Sequence, residues 1–364
     1  MSKTSIAVTP EAVRRTPFPV AGATVRTETE PGRISALDFT KGALVLIMVL
    51  YHWLDYFYGA HDSRYLRFLT PSFIFITGFL ISNVYLSKYG VGDARLPLRL
   101  ILRGMKILAV FIALNAMIIL MLMFAGSGGG RLMLAQLTFG GLLNILLAGN
   151  VVVTGAGKVV AFYILVPISY LLLLSAPLTM MCRWYKYTFQ VACVCFLLGV
   201  LAFRLNGIES SNLELLAIGL LGVVVGYLPL SKISSFISRP YALAAAYLCY
   251  LVAITLWNVI YPLQIVGVCL SLMILYFLGT RGDDKGKVRG RIVLLGKYSL
   301  FGYIAQIAIL QALRRGFLHI DLGPVVLEIS FVLAVVLTLL SVEGVDRARA
   351  RSTVVDACYR FVFA

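Results

Sequence analysis

Four ionisable side chains share one face of a segment that is otherwise long and apolar enough to cross a membrane. In residues 33–55, RISALDFTKGALVLIMVLYHWLD, these are Asp38, Lys41, His52 and Asp55. At about 100° per residue they fall within roughly a 100° arc of a helix. Lys41 and His52 differ by only about 20° in direction and stand about 16 Å apart along the axis. Ionisable groups are costly in hydrocarbon, so a face of this kind lines a protein interior or a wet cavity. A lysine there holds an anion, and an imidazole moves a proton near neutral pH. Asp55, one turn beyond His52, is spaced to orient its ring, whereas Asp38 is about 21 Å away and cannot. The plain alternative is an i, i+3 ion pair between Asp38 and Lys41 at one end, with His52 and Asp55 near water at the other.

A second basic group enters a later span. In RLPLRLILRGMKILAVF, Arg99, Arg103 and Lys106 lie at i, i+4 and i+7 and share a face, with Arg95 just before them. They read either as snorkelling anchors or as a clamp for a phosphorylated ligand, which the fork of arginine suits. Residues 281–297, RGDDKGKVRGRIVLLGK, bring five further Lys/Arg and then Lys297. Such a loop sets topology, or attracts the phosphates of a cytosolic nucleotide cofactor. Glu328, about five residues inside the last span, has Arg314 and Arg315 as possible partners, and Glu343 has Arg347 one turn on. No Walker loop, dinucleotide fingerprint, Ser-His-Asp, HExxH or cysteine-nucleophile pattern is present. The six cysteines lack zinc-site spacing and read as buried, inert thiols, so no metal is expected.

The elements that must position these residues are membrane helices. The 364-residue chain is 60% hydrophobic and 13% charged, with strongly positive mean hydropathy. Its apolar stretches recur at about 20 residues, the length that crosses about 30 Å of hydrocarbon. The expected fold class is an all-α, polytopic integral membrane protein of about ten transmembrane helices. A net charge of +16 is spread over short loops, where lipid-facing topology rather than nucleic acid accounts for it.

The expected spans are 36–58, 67–87, 100–124, 158–180, 188–204, 212–230, 240–258, 261–279, 292–313 and 322–343. With both termini cytoplasmic, the inner segments carry 23 Lys+Arg and the outer ones 7. A full crossing by the apolar stretch 132–153 would flip every later loop and abolish that bias. It is therefore expected to be re-entrant or interfacial, broken at Gly140-Gly141 and Gly149-Asn150, after a flexible Gly126-Ser127-Gly128-Gly129-Gly130 linker. Residues 1–32 read as a disordered cytoplasmic tail, 33–343 as the transmembrane domain with its first span an uncleaved anchor, and 344–364 as a basic cytoplasmic tail.

The segment RISALDFTKGALVLIMVLYH resembles the first span of the membrane-bound acyltransferase-3 family, related to glucan succinyltransferases and heparan-glucosaminide N-acetyltransferases. The family signature is LDxxRG followed by a His. Leu37, Asp38, Gly42 and His52 match in order and spacing, and Lys41 stands in place of the Arg. LTPSFIFITGFLIS at 69–82 resembles the family's second span, Arg99 to Lys106 its basic third-span motif, and LLGKYSLFGYIAQ at 294–306 a late segment often ending in His, where this chain has Gln306.

The resemblance implies acyl transfer from cytosolic acyl-CoA, most simply acetyl-CoA, to a hydroxyl of an envelope or exported glycan or glycolipid, in the inner membrane of a bacterium. Lys41, Arg99, Arg103 and Lys106 would hold the donor, and His52, oriented by Asp55, would be general base or transient acyl carrier. Asp38 and Glu328 would be orienting or structural, and the partners would be membrane lipid, acyl-CoA and the acceptor. The competing expectation is a non-enzymatic transporter or export partner for a polysaccharide or lipid-linked sugar. In that reading the polar stripe forms a translocation path.

Overall fold

The structure, a computed structural model, describes residues 34–59, 64–90, 93–124, 138–149, 152–153, 157–158, 161–257, 259–281, 286–317 and 324–363. The expected tail at 1–32 and the Gly126–Gly130 linker lie outside these residues. Hydrocarbon offers backbone groups no partners, so an apolar chain satisfies them within helices. The helices are α1 (Ser35–Trp53), α2 (Leu69–Leu80), α3 (Arg95–Phe124), a short α4 (Phe139–Leu143), α5 (Leu165–Met181), α6 (Thr188–Leu205) and α7 (Ser211–Val225). They continue with α8 (Leu230–Ile237), α9 (Pro240–Trp257), α10 (Tyr261–Arg281), α11 (Lys287–Lys297), α12 (Ser299–Phe317), α13 (Pro324–Arg351) and α14 (Thr353–Phe363). The strands among the described residues, β1 (Val152–Val153) and β2 (Gly157–Lys158), form one short antiparallel pair.

Among the described residues seven helices are long and apolar enough to cross a membrane, eight if α11 and α12 are taken together. The protein is an all-α, multi-pass membrane protein. Each of the ten expected spans contains a helix, although α5 and α7 are short at 17 and 15 residues. The stretch 132–153 holds, among its described residues, a helix over Phe139–Ala148 only. That is about 15 Å long, half of a crossing.

The central helix is α1, which packs against α2, α10, α11, α12 and α13. Two crossings bring backbones together through glycine. A methyl group on Gly42 of α1 would overlap the carbonyl oxygen of Ile292, and one on Gly296 of α11 would overlap that of Asp38. Likewise Gly78 of α2 meets the Gly219 carbonyl of α7, and Gly222 meets that of Phe75. Small residues permit such approaches, and dispersion between the helices then replaces contact with lipid. Interior hydroxyls are satisfied by their own helices: Thr40 donates to the Ala36 carbonyl at 2.8 Å and Thr338 to that of Ala334 at 2.7 Å. Large apolar side chains such as Ile112, Met121, Leu198, Leu248 and Val332 point outward, as a lipid-facing surface requires.

Three expectations are corrected. The span at 292–313 is broken at Tyr298, where α11 and α12 meet at 96°. Second, the boundary between transmembrane domain and tail at residue 343 falls inside α13, which runs on to Arg351 and is followed by α14. The segment 344–364 is therefore largely helix. Finally, the cysteines are free, but Cys195, Cys249 and Cys358 are exposed rather than buried.

Candidate functional site

At the end of α1 nearest its start, Asp38 is 4% exposed. Its carboxylate oxygen lies 2.6 Å from the Lys41 Nζ. The ion pair offered as the plain alternative thus exists. It leaves Lys41 on the wall of a cavity of about 110 Å³. That cavity is lined by Lys41 from α1, Arg103 and Lys106 from α3, Lys297 from α11, and Ser299 and Leu300 from the first turn of α12. Tyr359, Val362 and Phe363 of α14 close one side. Three elements far apart in sequence therefore deliver four cations to one small space. The break at Tyr298 makes this possible, because it turns Lys297 and Ser299 toward the same point.

Arg99 is not among the lining residues. Its guanidinium stands 4.5 Å from the Tyr89 ring centroid and donates to the Tyr89 hydroxyl. Arg103 similarly donates to the Tyr85 hydroxyl. Helical spacing put Arg99, Arg103 and Lys106 on one face, but Tyr89, in the segment between α2 and α3, takes the first of them aside.

The broken corner is held by a polar network. Tyr298 is 2% exposed and donates its hydroxyl proton to Asp346 Oδ1 at 2.6 Å. Arg349 donates to that same hydroxyl at 3.0 Å and to Asp356 at 2.6 and 2.9 Å. Arg360 completes the pairing of Asp356 at 2.5 Å. These two arginines hold the Asp356 carboxyl below its ordinary value, Arg349 most strongly. A larger opening of about 300 Å³ lies beside this turn. Asp356 engages Arg349 and Arg360 there and itself lines the opening, whereas in the smaller cavity Lys41 and Lys297 pair with Asp38 and, at 3.9 Å, Asp346, neither of which lines it.

The opposite end of α1 departs from α geometry. Leu54–Tyr58 form a π-helical turn, closed where the Gly59 N–H donates to the Leu54 carbonyl, with Gly59 at φ 64°. A π turn holds more residues than an α turn, and Asp55 lies in its first turn. What stacks on His52 is Tyr56, with ring centroids 6.1 Å apart and planes at 22°. Tyr51 meets it edge-on at 5.2 Å and Tyr303 of α12 lies at 6.4 Å. The imidazole Nε2 is buried. Asp55 is partly exposed.

Behind Tyr303 stands Phe162, edge-on with centroids 5.9 Å apart. Phe162 is the one residue other than glycine with positive φ among the described residues, at 57°, a conformation that costs a bulky side chain energy. Asn115 of α3 secures the residue before it. Its Nδ2 donates to the Ala161 carbonyl at 3.0 Å, and its Oδ1 accepts from the Ala161 N–H at 2.8 Å.

Glu328 is exposed near the start of α13, and no ion pair joins it to Arg314 or Arg315 among the described residues. Glu343 does pair with Arg347, at 3.0 Å, and also with Arg291 at 2.8 Å. Sequence reasoning did not foresee the tyrosines around His52, the cavity wall supplied by α14, or Lys297 as a member of the cation group. Only the proximity of Lys297 to a cationic loop hinted at the last.

Two chemically distinct places thus lie on one helix: a four-cation cavity suited to a phosphorylated anion, and a histidine enclosed by aromatic rings and suited to proton transfer. Leu300, at the inner end of the cavity wall, is one helical turn from Tyr303, whose ring faces His52. Comparisons with family models, with curated proteins and with solved structures find no match to the chain.

Proposed function

We propose that this protein is an integral-membrane O-acyltransferase that moves an acyl group, most simply acetyl, from cytosolic acyl-CoA to a hydroxyl of an envelope or exported glycan or glycolipid. One observation carries the reading: Lys41 and His52 lie along a single helix face, and Lys41 opens onto a cavity with Arg103, Lys106 and Lys297. The likeness of Leu37, Asp38, Gly42 and His52 to the acyltransferase-3 first span adds to it. The excess of Lys and Arg at the cavity end fits a cytoplasmic face, as an inner bacterial membrane would provide.

In this reading the four cations neutralise the donor's phosphates, and the thioester arm runs past Leu300 and Tyr303 toward His52. The imidazole removes the proton of the acceptor hydroxyl as its oxygen bonds to the thioester carbon. The carbon–sulfur bond breaks, and the departing thiolate takes up a proton. Burial of the imidazole among tyrosine rings keeps water from competing for the acyl group. Tyr303 and Tyr56 hold the ring in place. Asp38, 2.6 Å from Nζ, aims the Lys41 ammonium. The structure gives Arg99 no place in this cavity, so its contact with the donor is not part of the proposal.

The test uses membranes carrying the protein, labelled acetyl-CoA and an added glycan acceptor. Label transfer that falls by about 10²–10⁴ in His52→Ala, the usual worth of a general base, supports the reading. Undiminished transfer in that variant removes the chemistry. Flux of glycan across proteoliposomes without any acyl donor would instead favour a transporter.

A further inference from the structure

The last helix, α14, is apolar on two opposite faces. Tyr359 and Phe363 point to the bundle, edge-on to Tyr298 with centroids 5.3 Å apart and to Phe301 at 6.0 Å. Val354, Cys358 and Phe361, spaced i, i+4 and i+7, share the face turned about 180° away. That second face is bare: Val354 is 69% exposed, Phe361 78%, and Cys358 is exposed between them. A helix that only sheltered the bundle from water would be polar on that side.

The depth of α14 identifies what lies against its bare face. Phe301 precedes Gly302, where a methyl would stand 3.5 Å from Val45, and Val45 is about 15 Å along α1 from its first residue. The inner end of α14 is therefore level with the first turns of membrane-crossing helices, beside the bundle rather than on top of it. The preceding helix, α13, gives the same level. Its exposed stripe runs through Val325, Ile329, Val332, Val336 and Leu340. The same face then carries Arg347 and Arg351, both exposed, about 10 and 16 Å further along. Acyl chains cover the apolar part of such a stripe, and headgroups meet the arginines. Helix α14 starts from that point.

At the joint lies the opening of about 300 Å³, lined by Arg349, Arg351, Arg360 and Asp356 with Ser352 and Thr353. Asp356 offsets one of the three positive charges. Arg349 is turned inward to Tyr298 and Asp356. Arg360 meets Asp356 through one nitrogen, and its side chain is largely exposed. Arg351 joins no ion pair among the described residues. A guanidinium has five N–H donors, so Arg351 and Arg360 retain enough to take a phosphate together.

We propose that this corner binds an anionic phospholipid. Arg351 and Arg360 hold its phosphate in the opening, and its acyl chains lie along Val354, Cys358 and Phe361. An arginine-bearing helix with a bare apolar face, set at the edge of the hydrocarbon, lies in the bilayer interface in this way. No residue of this corner that touches the lipid lines the cationic cavity, so the proposal is independent of the acyl-CoA reading.

The experiment uses the full-length protein in lipid nanodiscs and has two readouts. With Cys195→Ala and Cys249→Ala, Cys358 is the remaining exposed cysteine and carries a bimane label. Lipids brominated on their acyl chains should quench that label, and Phe361→Glu should abolish the quenching. Native mass spectrometry then compares retained phosphatidylglycerol with phosphatidylcholine. Arg351→Gln, which breaks no ion pair of the described residues, should lower the preference for phosphatidylglycerol about fivefold, the worth of one arginine at an anionic surface. Arg239→Gln removes the same charge between α8 and α9 and should leave the preference unchanged. Soluble glycerol 3-phosphate should not displace the lipid. A label that brominated chains leave bright overturns the proposal, whether water or a second copy covers the face. Equal losses in Arg351→Gln and Arg239→Gln overturn it as well, by showing a diffuse charge effect. Displacement by glycerol 3-phosphate would make the opening a site for soluble anions instead.

Discussion

Asn115 holds Ala161 at both ends of one amide, donating at 3.0 Å and accepting at 2.8 Å. The same Nδ2 also donates to the Phe111 carbonyl within α3 at 2.9 Å. This clasp fixes the chain where Phe162 adopts its positive φ and presses its ring on Tyr303. Asn115→Leu leaves the Ala161 backbone groups without partners in a largely apolar setting. The expected cost is about 2–3 kcal/mol, read by thermal unfolding in detergent. Tyr303 should loosen with it, so activity should fall at temperatures below the melting transition. A variant with wild-type stability would mean that the clasp is dispensable.

The glycine crossing of α1 and α11 makes a second prediction. Gly42→Ala and Gly296→Ala each set a methyl into a backbone carbonyl, and neither neighbour is a side chain able to rotate away. Overpacking of this kind costs about 1–3 kcal/mol or more. Gly290→Ala, in the same α11 but with open space at its Cβ, is the control and should be neutral or slightly stabilising by its helix propensity. Equal behaviour of all three in a melting series would refute the close approach.

The cation cavity predicts a graded loss of donor binding. Removing one charge-assisted hydrogen bond is worth about 1.5–3 kcal/mol. Lys297→Gln and Lys106→Gln should therefore each raise the KM for acyl-CoA by roughly tenfold or more, with little change in kcat, and should flatten its dependence on salt. Arg99→Gln, outside the cavity and held on Tyr89, should have the smaller effect. An Arg99 variant weaker than Lys297→Gln would relocate the site.

Acid should release α14. The carboxyl of Asp356 is held below its ordinary value of 3.8 by Arg349 and then by Arg360. A lowered folded value means that its contribution is complete above the unfolded value and is lost as pH falls through the folded one. Amide hydrogen exchange in Thr353–Phe363 should therefore stay protected through mildly acidic pH and speed up below the ordinary carboxylate range. Asp356→Asn should show fast exchange already at neutral pH. Protection that ignores both changes would show that the aromatic contacts of Tyr359 alone hold the helix.

The helices were readable because hydropathy and the length of a membrane crossing act on every residue of a span at once. The break at Tyr298 was not, because LLGKYSLFGY is largely apolar apart from Lys297 and Ser299, and no proline marks the corner. What turns the chain there is tertiary: the hydroxyl of Tyr298 bonds Asp346 and Arg349, residues about fifty positions later. The four arginines of 344–364 gave that segment the appearance of a solvated tail, whereas Arg349 and Arg360 are spent on Asp356. At the site, Lys41, Arg103 and Lys106 were legible from helical spacing. Lys297 was not, because it reaches them only through the broken corner.

Phe363 lines the cationic cavity and stacks on Tyr359. A bulky tag or fluorescent carrier joined just after it would crowd whatever enters there and pry at that stack. Purification handles and reporters belong elsewhere on the chain.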